Sequence, residues 1–326
     1  MTRVGGGARG RGGDQLSDET RPRCFNPTDK IVIAYLIIIA LLIVIFSYRI
    51  DWFAWFFALH ASLIAAVVLL ARWDSRPVTP SPLGPFAPSL PLPLASFAHG
   101  WYPIALVPLT YKELTYLIPR VHPHDFDSAL AAIDYRIFGV HPTVWLERIT
   151  WPALTEVLQL TYSTYYFLPL ILGIVLWRKR WFERFHFWVF VVVLGFYLSY
   201  LGYIAVPAIG PRFLPSIAEA QTKPLTGLWF FQPVRQMLDS AEGITRDCFP
   251  SGHTELTLLV LYYAHRFHRK TFLWLLPLGT GVIVSTVCLR YHYVIDVVAG
   301  ALLAVAIVMI ASRSYAWLSR KQIRAE

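Results

Sequence analysis

Apolar residues run along this chain in eight blocks, near 31–49, 52–71, 101–118, 152–177, 185–206, 254–268, 271–289 and 292–312. Most approach the roughly 20 residues a helix needs to cross the hydrocarbon of a bilayer. Continuous runs of that length, without period-two alternation, predict an all-α, polytopic membrane helix bundle of about eight spans. Composition agrees: 56% of residues are hydrophobic and 15% charged, where a soluble domain carries nearer a quarter charged.

Between the blocks the polar residues set the organisation. Residues 1–30 are polar, rich in Gly and Arg and without apolar periodicity, and read as a disordered arm with no cleaved secretory signal. Two spans fill 31–76, a Pro-rich linker 77–100, a membrane catalytic domain 101–312 and a polar tail 313–326. Basic residues gather before the first block and after the second (Arg72, Arg76), fourth (Arg178, Lys179, Arg180, Arg184), sixth (Arg266, Arg269, Lys270) and last (Arg313, Arg320, Lys321, Arg324). The positive-inside rule puts these loops and both termini in the cytoplasm. The alternation closes only if 101–118 crosses as well, although it carries Lys112 and Glu113. Stretches near 126–138 and 142–150 are amphipathic and are expected in the outer interface.

The net charge of +9 is accounted for by these flanks, and no basic–aromatic module marks nucleic acid as a partner. Cys24, Cys248 and Cys288 show no zinc spacing; Cys248 and Cys288 either pair or stay buried thiols, and free thiols are the favoured expectation. His122-Pro-His124-Asp125 is not read as a metal site, and neither a metal nor a cofactor is expected.

With this threading three polar motifs land on the external side: Gly210-Pro211-Arg212, Pro250-Ser251-Gly252-His253, and Arg290-Tyr291-His292 with Asp296. Pro250 is placed to open a helix, which puts Ser251, Gly252 and His253 in its first turn, where free N–H groups attract anions. His292 is expected to begin the last helix, so that two helix N-termini would face one phosphoryl group. Arg212 and Arg290 are the phosphate-binding arginines of this reading, with Ser251 and Gly252 beside them. His292 and Asp296 lie four apart and share a helix face, so the carboxylate can orient the imidazole. His292 is then the nucleophile and His253 the general acid and base.

Pro250-Ser251-Gly252-His253 followed by His292-x3-Asp296 resembles the type 2 phosphatidic acid phosphatase superfamily, whose motifs are K-x6-R-P, P-S-G-H and S-R-x5-H-x3-D. The resemblance covers about residues 195–312 and implies a six-helix catalytic core and a phosphohistidine intermediate. Two positions depart from it: Ala205 stands where the first motif has lysine, and Thr286 where the third has arginine. Arg290-Tyr291-His292-Tyr293-x2-Asp296 is similar to the inositol phosphorylceramide synthase (aureobasidin-resistance) branch, which implies head-group phosphotransfer between lipids. Losing two cations harms a singly charged phosphodiester less than a phosphomonoester, which favours the transferase.

Lys112 is a candidate for the missing cation, its alternative being a structural pair with Glu156. Lys112, Glu156 and Tyr166 form a possible head-group pocket. Glu156, Gln159, Ser163 and Tyr166 fall near one face of their span, where helix–helix hydrogen bonding is the alternative. The expectation is an integral enzyme of a bacterial cytoplasmic membrane or a eukaryotic endomembrane. Its partners are membrane lipids, a phospholipid donor and a lipid alcohol acceptor. A lipid phosphate phosphatase and a non-catalytic transporter or scaffold remain as alternatives.

Overall fold

The computed structural model describes residues 25–75, 94–243 and 246–320. In chain order the helices are α1 (Pro27–Ile45), α2 (Phe53–Asp74), α3 (Leu94–Trp101), α4 (Pro103–Val121), α5 (Asp127–Phe138), α6 (Pro142–Trp145), α7 (Pro152–Ser163), α8 (Leu168–Arg178), α9 (Phe182–Ala205), α10 (Pro215–Ala220), α11 (Phe231–Glu242), α12 (Gly252–Phe267), α13 (Arg269–Cys288) and α14 (Val294–Arg320). The described residues contain no strand, so the all-α expectation holds.

Among the described residues six segments are long and apolar enough to cross a membrane: α1, α2, Pro152–Arg178, α9, α13 and α14. The other two expected spans are also helical but differ in character. α4 carries Lys112, Glu113 and Arg120, and α12 has only 16 residues. α12 lies at the centre of the bundle, with Leu259, Val260 and Ala264 fully buried against Trp188 of α9 and Ile307 of α14. A helix buried over most of its length by other helices need not match the lipid thickness.

Local chemistry explains several boundaries. Asn26 and Asp29 close a reciprocal capping box at the start of α1. α7 and α8 are separated by a 3-10 turn, Thr164–Phe167. There Thr161, Ser163 and Thr164 turn their hydroxyls onto carbonyls three or four residues back, and Pro169 in the next turn has no N–H to offer. The linker expectation fails over 94–100, which belongs to α3. His99 of α3 is buried between the carboxylates of Asp29 and Asp74, at 3.0 and 2.8 Å, and this ties α3 to α1 and α2.

The ends of α12 and α14 approach so closely that a Cβ at Gly300 would collide with the backbone carbonyl of Ser251. The three sequence motifs therefore meet at one end of the bundle, beside α5, α6 and α11.

Candidate active site

Four buried or half-buried carboxylates build the frame at that end. Asp127 accepts from the N–H groups of Ile209 and Gly210, and from the Tyr293 hydroxyl. Asp134, seven residues on and so on the same face of α5, takes the first two N–H groups of α14, from Val294 and Ile295, at 2.8 and 2.9 Å. Glu147 takes the Thr222 N–H and hydroxyl. Glu156 takes the N–H groups of Leu228, Trp229, Phe230 and Phe231 at the start of α11. Each satisfies donors that a helix terminus or loop leaves open.

This frame corrects three expectations. The N-terminus of α14 is occupied by Asp134 and offers no anion site there. Glu156 does not line a head-group pocket, because its carboxylate is spent on the α11 terminus. Arg290 does not reach a phosphate site: its guanidinium is buried against Glu147 at 2.8 Å, Gln221 Oε1 at 2.7 Å and the Lys223 carbonyl at 2.8 Å. A buried arginine engaged by a carboxylate and two further acceptors is a structural anchor. Arg290 itself sits at φ +66°, in the turn that joins α13 to α14.

His292 lies in that turn, two residues before α14 rather than inside it. Its N–H and that of Tyr291 both donate to the Thr286 carbonyl, each at 2.9 Å. Its Nδ1 lies 2.9 Å from the Cys248 carbonyl, which can only accept, so the proton sits on Nδ1. That leaves the Nε2 lone pair available. Asp296 is 3.5 Å from Nδ1, and accepts at shorter range from the Tyr293 N–H (2.8 Å) and the Cys248 thiol (2.9 Å). The orienting group expected to be Asp296 is therefore first a backbone carbonyl, with Asp296 holding the turn and the thiol around it.

Cys248 Sγ, His292 Nδ1 and the Asp296 carboxylate all lie within 4.8 Å of one another, close enough in principle to share a metal ion. Here they are hydrogen-bonded together instead. Burial, followed by the Asp296 charge, pushes the Cys248 thiol pKa up, so it keeps the proton it donates. Cys248 and Cys288 are both free and buried, which settles the pairing question in favour of thiols.

Pro250 precedes the helix instead of opening it, and Ser251 is the N-cap of α12, its hydroxyl accepting from the Thr254 N–H. Gly252 follows, packed so that a Cβ would meet the Tyr203 hydroxyl. His253 comes next, and its ring lies between Tyr162 (centroids 4.5 Å apart, 21° between planes) and Tyr165 (4.1 Å). Its Nε2 is buried without a hydrogen-bond partner among the described residues. The two histidine rings stand 5.6 Å apart, so one phosphoryl group can touch both. Tyr162 also stacks on Tyr291 at 4.3 Å, and the Tyr291 hydroxyl donates to Gln159. Beyond Tyr291 the Arg212 guanidinium lies 4.8 Å from its ring centre and pairs with Asp239 at 2.8 Å.

Tyr162, Arg212, Asp247, His253, Tyr291 and His292 enclose a cavity of about 30 Å³. That is room for a water molecule or two and not for a lipid head group. His253, His292, Asp296, Arg212, Ser251 and Gly252 are thus gathered as the motifs imply, while Arg290, Glu156, Lys112 and Tyr166 are not. Lys112 is exposed and its neighbour Glu113 faces His60 at 3.4 Å. Tyr166 is exposed and lines an apolar groove with Trp101 and Val189.

Sequence reasoning missed Tyr162, Tyr165, the carbonyl of Cys248, and Arg235 and Asp239 of α11. Only α11 gave a signal: Phe231, Leu238, Arg235 and Asp239 recur at helical spacing, an amphipathic helix that hydropathy alone passes over.

The sequence profile of the PAP2 superfamily matches residues 128–310, more than half of the chain, and takes in Arg212, His253, His292 and Asp296. A PA-phosphatase related-family protein of Dictyostelium discoideum is 23% identical over 163 residues, 44% of this chain and 30% of that protein. The match thus spans under a third of that relative's length. No solved structure matches the chain. With motif loops, histidines and frame carried on a bundle of membrane-length helices, and with that profile covering them, the chain belongs to the PAP2 superfamily.

Proposed function

We propose that the protein transfers a phosphate-bearing head group from one membrane lipid to another through a phosphohistidine on His292. The observation that carries this is the hydrogen bond between His292 Nδ1 and the Cys248 carbonyl, which in the neutral ring leaves the Nε2 lone pair free, with the His253 ring 5.6 Å away.

Nε2 attacks phosphorus and the bond to the leaving alkoxide breaks, with His253 giving that oxygen a proton. The acceptor hydroxyl then loses its proton to His253 and attacks phosphorus, and the P–N bond breaks. Arg212 holds the phosphoryl oxygens. Nucleophile, acid–base group and cation all come from the protein. The basic loops at the opposite end of the bundle support a site on the external or lumenal side.

A lipid alcohol, ceramide-like in its hydroxyl, is the favoured acceptor because Ala205 and Thr286 stand where the family has two cations, a loss that harms a singly charged phosphodiester less than a phosphomonoester. Hydrolysis to free phosphate is the second reading, and the printed name of the Dictyostelium relative favours it. Transport drew its support from Lys112 as an intramembrane charge on a path. Lys112 is exposed and does not line the cavity, which weakens that support.

The test is to incubate the protein in nanodiscs with phosphate-radiolabelled phospholipids, with and without ceramide or diacylglycerol. A labelled new lipid that needs the acceptor is the expected product. Free phosphate from a monoester lipid, whatever the acceptor, would make the protein a phosphatase. No turnover across a broad lipid panel would leave a non-catalytic role.

A further inference from the structure

Two cations of the family pattern are absent, at Ala205 and Thr286, and neither Arg290 nor Lys112 replaces them. Another arginine, Arg235, stands beside Tyr291 of the cavity wall. Arg235 and Asp239 lie one turn apart on α11, and so on one face. Asp239 accepts from Arg212. The Arg235 guanidinium lies 5.8 Å from the Tyr291 ring centre and that of Arg212 lies 4.8 Å from it. Tyr162 covers one face of that ring, which crowds both arginines onto the rest of it. Among the described residues Arg235 makes no hydrogen bond or ion pair, although Arg120, Arg212, Arg246 and Arg290 all do. Burial, with Arg212 adding to it, lowers the Arg235 pKa, and the guanidinium still stays charged.

α11 is held at its start and reaches the cavity at its end. Glu156 holds its first N–H groups, and Gly243, which follows it, lines the cavity. Among the described residues Asp239 pairs with Arg212 alone, so that pair is close to neutral and Arg235 brings the single positive charge in excess. Asp247, at the cavity wall and bonded by the Tyr111 hydroxyl, reduces the field further. A phosphomonoester carries about −1.5 to −2 at neutral pH, a phosphodiester one negative charge.

We propose that Arg235 is the second cation of the phosphate clamp, and that Asp239 sets the clamp's net charge so that the site takes a singly charged phosphodiester lipid in preference to a phosphomonoester. This rests on the phosphotransfer reading above and names its donor class.

The experiment compares wild type, Arg235→Gln, Arg235→Lys and Asp239→Asn, each in detergent. The readouts are stabilisation against heat by phosphatidylglycerol or phosphatidic acid of equal acyl chains, and kcat/KM on both. Wild type should be stabilised more by phosphatidylglycerol. Arg235→Gln should lose stabilisation by both lipids and about 10- to 100-fold in kcat/KM, the scale of a charged hydrogen bond. Arg235→Lys should recover part of it, since it restores charge without the planar fork. Asp239→Asn should move the preference toward phosphatidic acid.

Arg235→Gln within twofold of wild type, or an unchanged lipid order in Asp239→Asn, would overturn the proposal. So would wild-type protein that neither lipid stabilises. If Arg235→Gln does not fold, the lipid orders of Arg235→Lys and Asp239→Asn decide alone. The two readings fail separately. Turnover that needs His292 but ignores Arg235 would sink the clamp alone. Lipid binding in the expected order without turnover would sink the phosphotransfer reading and keep the clamp.

Discussion

Turnover in His292→Ala is expected to fall by about 10⁴-fold or more, the scale on which covalent catalysis collapses when its nucleophile is removed. Lipid binding should persist, because Arg212 and α11 are held by Asp239, Glu156 and Tyr291 and not by His292. Labelling with a phosphate-radiolabelled lipid followed by rapid quench checks this: wild type should carry an acid-labile, alkali-stable label and His292→Ala none. Asp296→Asn gives the sharper contrast. If Asp296 alone fixed the tautomer, its loss would cost about 10⁴-fold, as in triads where a carboxylate does that work. The Cys248 carbonyl is nearer, at 2.9 Å against 3.5 Å, so the imidazole keeps its tautomer in Asp296→Asn. A loss of about 10- to 100-fold, typical of an outer supporting group, is expected instead. A 10⁴-fold loss in both variants would show that Asp296, not the carbonyl, orients the ring.

The same carbonyl shows where the sequence stops being readable. α1, α2, α9 and α13 are continuous apolar runs, and each forms within a few residues of its expected place; α14 starts two residues late and runs to Arg320, eight residues into the expected tail. The break between α7 and α8 is invisible to hydropathy, because Thr161, Ser163 and Thr164 bend the backbone without interrupting the apolar run. His292 and Asp296 were legible as a pair, but a four-residue spacing assumes a helix, and the helix begins only at Val294. Once His292 falls in a turn, its partner is a backbone carbonyl from a loop 44 residues away, and carbonyls have no residue code.

Arg290 failed for a related reason. Its place two residues before the nucleophile says nothing about Glu147, a partner 143 residues away that decides where the guanidinium points. Asp127 and Asp134 could have been read, since a seven-residue spacing puts two acids on one helix face. Their task, holding loop N–H groups, needed the loops in place.

His253 is the second group whose loss should be severe, and its role predicts a different failure from that of His292. As general acid it protonates a leaving alkoxide, and as base it deprotonates the acceptor, so His253→Ala should lose about 10²- to 10⁴-fold on an ordinary lipid. The loss should be uneven across substrates. A p-nitrophenyl phosphodiester expels a phenolate that needs no proton, so His292 can still attack it. The second step lacks its base in either case. His253→Ala should therefore accumulate labelled enzyme after one fast turnover, where wild type shows little and His292→Ala none. The ring also packs between Tyr162 and Tyr165, so a purely structural loss has to be separated. His253→Phe restores an aromatic ring to that stack and carries no proton. If the stack were what mattered, His253→Phe would recover turnover. If proton transfer is the role, it stays as slow as His253→Ala and accumulates the same intermediate. Equal losses on the alkyl and p-nitrophenyl substrates, with no trapped label in either variant, would remove His253 from the chemistry and leave His292 without its proton donor.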